Sequence, residues 1–212
     1  MTTSKKAVQI LTRLQKVYTE KGMVDFGEPE DTLIATLLSA RTTDEQVLKV
    51  YPVLRKKFPT LQDLAGASTA QIERCINSIG LFRNKAKAVK ALAKQLLDEY
   101  DGRVPDRMEE LIKLPGVGRK TASCVLGYAF KKPAIAVDIH VFRIAHRLGW
   151  VAGETTERVE DELKALVPEE LWREVNRVIV QHGRAICRPR KPECWRCPIR
   201  DACPYKPKTS KP

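Results

Sequence analysis

Four cysteines near the end of the chain follow the pattern C-x6-C-x2-C-x5-C, and this pattern restricts the fold more than any other feature. They are Cys187, Cys194, Cys197 and Cys203, and several prolines punctuate the segment that carries them. Four thiolates on one short segment can close around one metal centre. Since no histidine lies among them, a [4Fe-4S] cluster or a zinc ion held by four thiolates fits the pattern.

The spacing favours an iron-sulfur cluster over the alternatives. Zinc sites more often consist of two separated C-x2-C pairs, whereas this segment has one such pair and outer cysteines at unequal distances. Two disulfides would need an oxidising compartment, and the sequence opens Met-Thr-Thr-Ser-Lys-Lys with no apolar signal region. We therefore predict a [4Fe-4S] cluster. The remaining cysteines, Cys75 and Cys124, are expected to be small buried core residues.

An excess of basic residues indicates a polyanionic partner. The 38 lysines and arginines outnumber 26 acidic residues, which gives a net charge of +12 and suits nucleic acid. Part of this charge, including Arg188, Arg190 and Lys191, lies within the cysteine segment, where arginines on a metal-bound loop could grip phosphates. No stretch reaches the apolar length of a membrane span, so a soluble intracellular protein is expected.

The hydrophobic pattern is helical throughout, with apolar residues at every third or fourth position. Residues 33–38 are nearly all apolar and predict a helix buried in the middle of a bundle. Thr42 and Glu45 form a capping-box pair that predicts a helix start, and Pro52 is expected to kink or shorten that helix. The short apolar run at residues 134–137 is interpreted as a buried connection rather than a strand.

A second motif, Leu-Pro-Gly-Val-Gly-Arg-Lys at residues 114–120, predicts a glycine hairpin between two helices. Gly116 and Gly118 allow a sharp turn, and the amides that open the second helix carry the positive end of its dipole. These features favour a phosphate site, although an ordinary helix-helix turn also uses such glycines. The glycine spacing excludes a P-loop and a dinucleotide fingerprint, so a non-specific grip on a nucleic-acid backbone fits better.

Together with three other segments, the hairpin and the cysteine segment resemble the endonuclease III family, the iron-sulfur branch of the helix-hairpin-helix DNA glycosylases. The other segments are Leu37-Leu-Ser-Ala40, Ile79-Gly-Leu81 and Ile135-Ala-Val-Asp-Ile-His-Val-Phe-Arg143. The resemblance covers nearly the whole chain and implies an all-α fold of two domains. Residues 23–132 would form a central bundle with the hairpin, residues 1–22 plus 133–212 a cluster domain, and the active site the cleft between them.

The resemblance also implies catalytic roles for Lys120 and Asp138. In the family mechanism, a neutral lysine amine attacks C1′ of a damaged nucleotide, the base departs, and the Schiff base promotes β-elimination 3′ to the lesion. A lysine has a reference pKa of about 10.4. A helix N-terminus and desolvation are expected to lower the pKa of Lys120. Asp138 would assist proton transfer and stabilise positive charge on the sugar, and it can also cap the helix that follows.

The family pattern assigns further residues to DNA contact. Leu81 is predicted to be an apolar wedge, and Arg41, which stands where the family generally has glutamine, is predicted to fill the gap left by the extruded base. Ile139 replaces a common threonine, and both changes bear on the lesion range and the opposite-base preference. Other expected contacts come from Leu114, Gly116, Val117, Gly118, Arg119, His140, Arg143, Arg188, Arg190 and Lys191.

The favoured hypothesis is a bifunctional DNA glycosylase and AP lyase of base excision repair that acts on oxidised pyrimidines. Its partner would be duplex DNA containing damaged bases or abasic sites, and it is expected to act as a monomer in a bacterial or archaeal cytoplasm, near the nucleoid. The alternatives are a mismatch or pyrimidine-dimer glycosylase of the same family, or a non-catalytic, cluster-containing DNA-binding module. Lys120 argues against an enzyme that only removes the base, because such relatives tend to lack the lysine.

Overall fold

The structure, a computed structural model, describes residues 3–19 and 26–211, which divide into two compact units. Residues 26–131 form the hairpin unit, and residues 3–19 with 132–211 form the cysteine unit. The second boundary therefore falls between residues 131 and 132. The predicted boundary between residues 22 and 23 lies outside the described residues.

All regular secondary structure in the described residues is helical, which confirms the predicted all-α fold. The hairpin unit contains α2 (Pro29–Ser39), α3 (Asp44–Lys57), α4 (Leu61–Gly66), α5 (Thr69–Ile76), α6 (Phe82–Tyr100), α7 (Met108–Leu111) and α8 (Arg119–Tyr128). The cysteine unit contains α1 (Thr3–Val17), α9 (Ile139–Arg147), α10 (Thr156–Leu166) and α11 (Trp172–Ala185), with short 3-10 turns at Glu169–Leu171 and Cys194–Arg196. Within residues 3–19 and 26–211, no helix combines the length and apolar character needed to cross a membrane.

Helix α2 lies in the middle of the hairpin unit. Its residues 32–38 are all buried, because a helix that is apolar on every side has no face that favours water. It packs against α3, α6 and α8. The prediction of a buried central helix is therefore confirmed.

The start of α3 differs by one residue from the sequence-based prediction. Thr43, and not Thr42, is the N-cap, and its hydroxyl accepts a hydrogen bond from the amide of Gln46 at 3.3 Å. Glu45 does not complete a capping box; it forms an ion pair with Lys49 at 2.8 Å. Two adjacent threonines offer the same hydroxyl, so the local sequence does not decide between them.

Pro52 lies inside α3 and does not shorten it, since the helix continues to Lys57, so of the two expected effects only a kink stays a prediction. The proline removes one amide donor from the helix. The buried side chains on both sides of it are Val47, Val50, Tyr51 and Leu54. Their burial outweighs the lost hydrogen bond, because each large apolar side chain contributes about 1.5–3 kcal/mol.

The apolar faces of α1, α9, α10 and α11 enclose the core of the cysteine unit. Three of the four cysteines predicted to bind metal, Cys187, Cys197 and Cys203, pack against this core. The segment at residues 134–137 is buried and forms a connection without strand structure, as predicted. The cysteine segment is therefore fixed to the apolar core by contacts of its own.

The predicted hairpin joins α7 to α8. Gly116 has a φ of +77°, a conformation that favours glycine. A Cβ atom at this position would lie 2.9 Å from Cβ of Ala88 and 3.0 Å from Cδ1 of Leu37, so the turn packs directly on α6 and α2. Gly118 differs, because it has an ordinary φ of −94° and no atom lies within 4 Å of the position that a Cβ would take.

Replacing Gly116 with alanine should destabilise the protein by about 1–3 kcal/mol, because the new methyl group meets two side chains at a strained φ. Gly118→Ala is the matched control, and its free energy of unfolding should stay within about 0.5 kcal/mol of the wild-type value. Urea unfolding followed by circular dichroism measures both. Equal midpoints for the two variants would contradict this account of the turn.

Candidate functional site

Lys120 is the second residue of α8, directly after the hairpin. Gly118 caps this helix without a side chain that could accept from the first amides, so these donors and the positive end of the helix dipole can receive an anion such as phosphate. The side chain of Lys120 is exposed. The expected desolvation of Lys120 is therefore wrong for the free protein, and bound DNA would have to supply it.

The side chains of the hairpin divide between core and surface. Leu114 and Val117, predicted to contact DNA, are only 2% and 6% exposed, so their side chains belong to the core and only their backbone groups can reach a ligand. Gly116, Gly118 and Arg119 lie at the surface. The hairpin therefore offers mainly backbone to a partner, with Arg119 as an exposed basic side chain beside it.

Arg41 and Leu81 lie in two neighbouring loops of the hairpin unit. Both have a positive φ, +53° and +61°, which costs a residue other than glycine about 1–3 kcal/mol. The loops are adjacent, because a Cβ on Gly80 would lie 3.4 Å from the carbonyl oxygen of Arg41. Leu81 is 52% exposed, and Arg41 is exposed as well. The two residues predicted to insert into DNA thus lie in adjacent loops, and each has a strained backbone and an exposed side chain.

Asp138 is the N-cap of α9. Its Oδ1 atom accepts hydrogen bonds from the amides of His140 at 2.9 Å and Val141 at 2.8 Å, which confirms the capping role that the sequence allowed. Both bonds use Oδ1, which leaves Oδ2 for a ligand. The preceding segment is fixed by Asn176 of α11, whose side-chain amide donates to the carbonyl of Ala136 at 2.7 Å. The backbone thus fixes the orientation of this carboxylate.

Arg143 and His140 have partners inside the cysteine unit. The guanidinium of Arg143 donates to the carbonyl of Cys187 at 2.9 Å and to that of Ile139 at 3.2 Å, and it lies 3.1 Å from Nδ1 of His140. Burial lowers the pKa of both side chains. Arg143 therefore ties α9 to the first residue of the cysteine segment, an internal role that the sequence pattern did not predict.

The four cysteines line one cavity of the cysteine unit. The cavity contains about 390 Å³ of empty space, part of it open to solvent. Burial, and to a smaller degree the three other thiols, raises the pKa of the Cys197 thiol to about 11. A bound metal would supply the positive charge that lets such thiols ionise. Within the described residues, no group of three or more histidine, cysteine or acidic side chains has a geometry that could hold a single metal ion.

A cavity shared by four thiols fits a group larger than one ion. A zinc ion with four thiolates needs sulfur atoms about 3.8 Å apart, as its Zn–S bonds of about 2.3 Å require. A cluster of several iron and sulfide ions occupies more space and keeps its four cysteines further apart. The all-cysteine donor set of the cavity is therefore compatible with the predicted cluster.

Two side chains beside the cavity were missed by the sequence analysis. Arg147 donates to the sulfur of Cys187 at 3.2 Å, and Nε2 of His182 lies 3.7 Å from the sulfur of Cys197. Arg147 could have been found, because it follows Arg143 by four residues and so lies on the same face of α9. No sequence signal pointed to His182, since its contact with Cys197 depends on the packing of α11.

The tip of the cysteine segment carries the predicted basic residues. Arg190 and Lys191 are exposed, and Lys191 has a positive φ of +49°. The side chain of Arg188 is 55% exposed and lies 3.4 Å from a carboxylate oxygen of Glu193. The tip therefore presents positive charge to solvent and can attract a phosphate backbone.

Residues 34–169 match the model of the HhH-GPD superfamily of base excision DNA repair proteins. The chain is 46% identical to endonuclease III of Thermotoga maritima over 178 residues, which are 84% of each protein. It is 38% identical to endonuclease III of Escherichia coli K12 over 208 residues, which are 96% of this chain and 97% of the relative. The chain belongs to the endonuclease III family. The resemblance seen in the sequence motifs is thereby confirmed.

Solved structures of related proteins share the fold. A trapped endonuclease III-DNA covalent intermediate, an estranged-adenine complex, is similar with a TM-score of 0.90 and 38% identity, covering 96% of this chain and 97% of that one. A thermostable thymine-DNA glycosylase is similar with a TM-score of 0.83 and 28% identity, covering 95% of this chain and 96% of that one.

Asp138→Ala should lower the free energy of unfolding by about 1–2 kcal/mol through the loss of the helix cap, whereas Asp138→Asn should retain most of it, because asparagine also caps helices. Thr155→Ala removes the cap of α10 in the same unit. It loses a single hydrogen bond of 3.3 Å and should lower the free energy of unfolding by less than Asp138→Ala does. Chemical unfolding measures all three variants. If asparagine destabilised as much as alanine, the cap would not explain the position of Asp138.

Proposed function

We propose that this chain is a bifunctional DNA glycosylase and AP lyase of base excision repair that removes oxidised pyrimidines from duplex DNA and cuts the strand 3′ to the abasic site. Membership of the endonuclease III family supports a glycosylase and lyase of this pathway. The observation that carries the bifunctional mechanism is an exposed lysine, Lys120, in the first turn of a helix whose amides lack a side-chain cap. A phosphate bound at those amides would place the deoxyribose within reach of the amine.

The proposed reaction begins with the unprotonated amine of Lys120. Its lone pair forms a bond to C1′ while the bond between C1′ and the base breaks, and the base leaves with that electron pair and a proton. Expulsion of the ring oxygen then gives the Schiff base, and loss of a proton from C2′ breaks the bond between C3′ and its oxygen. Lys120 lies on the protein surface, so the damaged nucleotide must rotate out of the base stack before its C1′ atom can reach the amine.

Asp138 is proposed to act through Oδ2. Its Oδ1 is held by two backbone amides of α9, so the second oxygen has a fixed direction. A carboxylate held in this way stabilises the positive charge that develops on the sugar and can move a proton between the sugar and the amine. Since these interactions strengthen only as the bond to the base breaks, they accelerate the reaction rather than tighten binding.

Arg41 and Leu81 are proposed to fill the space that the extruded nucleotide leaves. Their strained backbones position both side chains at exposed tips, and Leu81 offers the apolar surface that stacks between bases. A guanidinium at position 41 can donate two hydrogen bonds to guanine, so the unpaired partner base should influence the rate. The thymine-DNA glycosylase that shares this fold makes a mismatch substrate the second candidate.

The four cysteines are proposed to hold a [4Fe-4S] cluster. When bound, the cluster would cross-link the segment at residues 187–203 and so stiffen its basic tip, with no open position for a Lewis acid because each iron already has a cysteine ligand. Arg143 and Arg147 hold the same segment through Cys187. We further propose that the protein acts as a monomer on DNA in a bacterial or archaeal cytoplasm, near the nucleoid.

Borohydride trapping tests the nucleophile. Wild-type protein should form a covalent adduct with duplexes that carry thymine glycol or an abasic site, and Lys120→Gln should form none, because borohydride gives a stable link between protein and DNA only where it reduces a Schiff base that joins them. Lys94→Gln, an exposed lysine of α6, is the control for loss of one charge. Adducts are resolved on a denaturing gel.

The trapping outcomes separate the candidate functions. An adduct at the abasic site alone would overturn the oxidised-pyrimidine substrate and move the search to mismatches and dimers. An adduct with Lys120→Gln would remove Lys120 as the nucleophile. If wild-type protein neither released a base nor formed an adduct on any lesion, a DNA-binding module without catalysis would explain the chain better.

Metal analysis tests the cofactor. Protein purified without oxygen should contain about four iron and four sulfide ions per chain and absorb broadly in the visible range. Cys194→Ala should lower the iron content, whereas Cys75→Ala, at a buried cysteine of α5, should leave it unchanged. Stoichiometric zinc in colourless protein would contradict the cluster.

A further inference from the structure

A chain of three side chains runs from the end of α1 to the cysteine cavity. The hydroxyl of Tyr18 lies 3.0 Å from Nδ1 of His182, and Nε2 of the same ring lies 3.7 Å from the sulfur of Cys197. His182 is only 1% exposed. A buried imidazole that meets a partner at each nitrogen is held in a single orientation.

Tyr18 is itself anchored through its backbone. Its amide donates to the carbonyl of Leu14 at 2.8 Å, and its carbonyl accepts from the guanidinium of Arg177. Burial raises the pKa of its hydroxyl to about 12, so the hydroxyl keeps its proton near neutral pH. The hydroxyl can therefore act as a fixed donor toward His182.

The direction of the hydrogen bonds follows from the state of the sulfur. A neutral imidazole carries one N–H, and each ring nitrogen of His182 has one partner, Tyr18 at Nδ1 and Cys197 at Nε2. A thiolate bound to metal has no proton to donate. Nε2 must then be the protonated nitrogen that donates to Cys197, and Nδ1 must accept from Tyr18.

We propose that Tyr18 fixes the tautomer of His182 so that the ring donates a hydrogen bond to the sulfur of Cys197, and that this bond retains the bound cluster and raises its reduction potential. The inference rests on the proposed [4Fe-4S] cluster and is independent of the glycosylase reaction. His182 is a positioning residue, because it acts on the cluster through Cys197. Donors to ligand sulfurs favour the more negative, reduced state of an iron-sulfur cluster.

Two other groups also donate hydrogen bonds to cysteine sulfurs. The backbone amide of Ile199 also donates to Cys197, and Arg147 donates to Cys187. The His182 bond differs from these in being both buried and dependent on a distant residue, Tyr18. Removing one hydroxyl at the end of α1 should therefore alter the cluster without touching any ligand.

The experiment compares His182→Met, Tyr18→Phe and the double variant with wild-type protein. Tyr100→Phe, at the end of α6 in the hairpin unit, is the matched control for loss of a tyrosine hydroxyl. Two quantities are measured: the rate at which visible absorbance is lost in air with a chelator, and the reduction potential. His182→Met should lose its cluster about 10-fold faster and have a lower potential. Tyr18→Phe should change both in the same direction by less, and the double variant should match His182→Met.

Nitrogen NMR of histidine-labelled protein adds a readout that general destabilisation would not reproduce. Wild-type His182 should be protonated on Nε2, and this preference should weaken in Tyr18→Phe. Protonation on Nδ1 in the loaded wild-type protein would overturn the proposal. Should His182→Met fail to fold, Tyr18→Phe decides, because it removes one oxygen and leaves the ring in place.

The remaining outcomes separate this proposal from the cofactor on which it rests. If wild-type protein holds iron and sulfide and the variants match it in rate and potential, the hydrogen-bond chain is wrong and the cluster stands. If wild-type protein holds zinc or no metal, the cluster proposal fails first and the inference fails with it. If the effects of Tyr18→Phe and His182→Met on rate and potential added up in the double variant, the proposed hydrogen-bond chain would also be overturned. Residues that act through one another do not have additive effects.

Discussion

Burial of α2 is the constraint on which the hairpin unit depends. A helix that is apolar on all sides can exist only if other helices surround it, and α3, α6 and α8 do so. Leu37 of α2 also lies beneath the turn at Gly116. Helix α8, which carries Lys120, is thus positioned by packed side chains that have no catalytic or binding role. This packing keeps the lysine on a rigid support at the surface.

The cysteine unit differs from the hairpin unit, because its candidate functional groups also hold its fold together. Asp138 caps α9 with one carboxylate oxygen and presents the other, and Arg143 connects this helix to the carbonyl of Cys187. The candidate acid-base group and the cysteine segment are therefore connected through the first five residues of one helix, from Ile139 to Arg143. A change at either end of α9 should be felt at the other.

Much of this arrangement could be predicted from the sequence, because periodicity and turn chemistry act locally. The buried helix, the hairpin and the cap at Asp138 all follow from short patterns. The sequence did not decide between Thr42 and Thr43 as the cap of α3, because the two residues have the same hydroxyl, and Pro52 is tolerated inside α3 because tertiary packing overrides local preference. The contact of His182 with the sulfur of Cys197 was out of reach for the same reason, since it depends on the packing of α11.

The division of the hairpin into buried side chains and exposed backbone has a consequence for how the chain would search DNA. Leu114 and Val117 face the core, so the turn offers amides to a phosphate and nothing to the edge of a base. In the proposed function, such a grip is equally strong at every nucleotide. The protein could then slide over intact sequence without being held at any one place, and it would stop only where a weakened base pair opens.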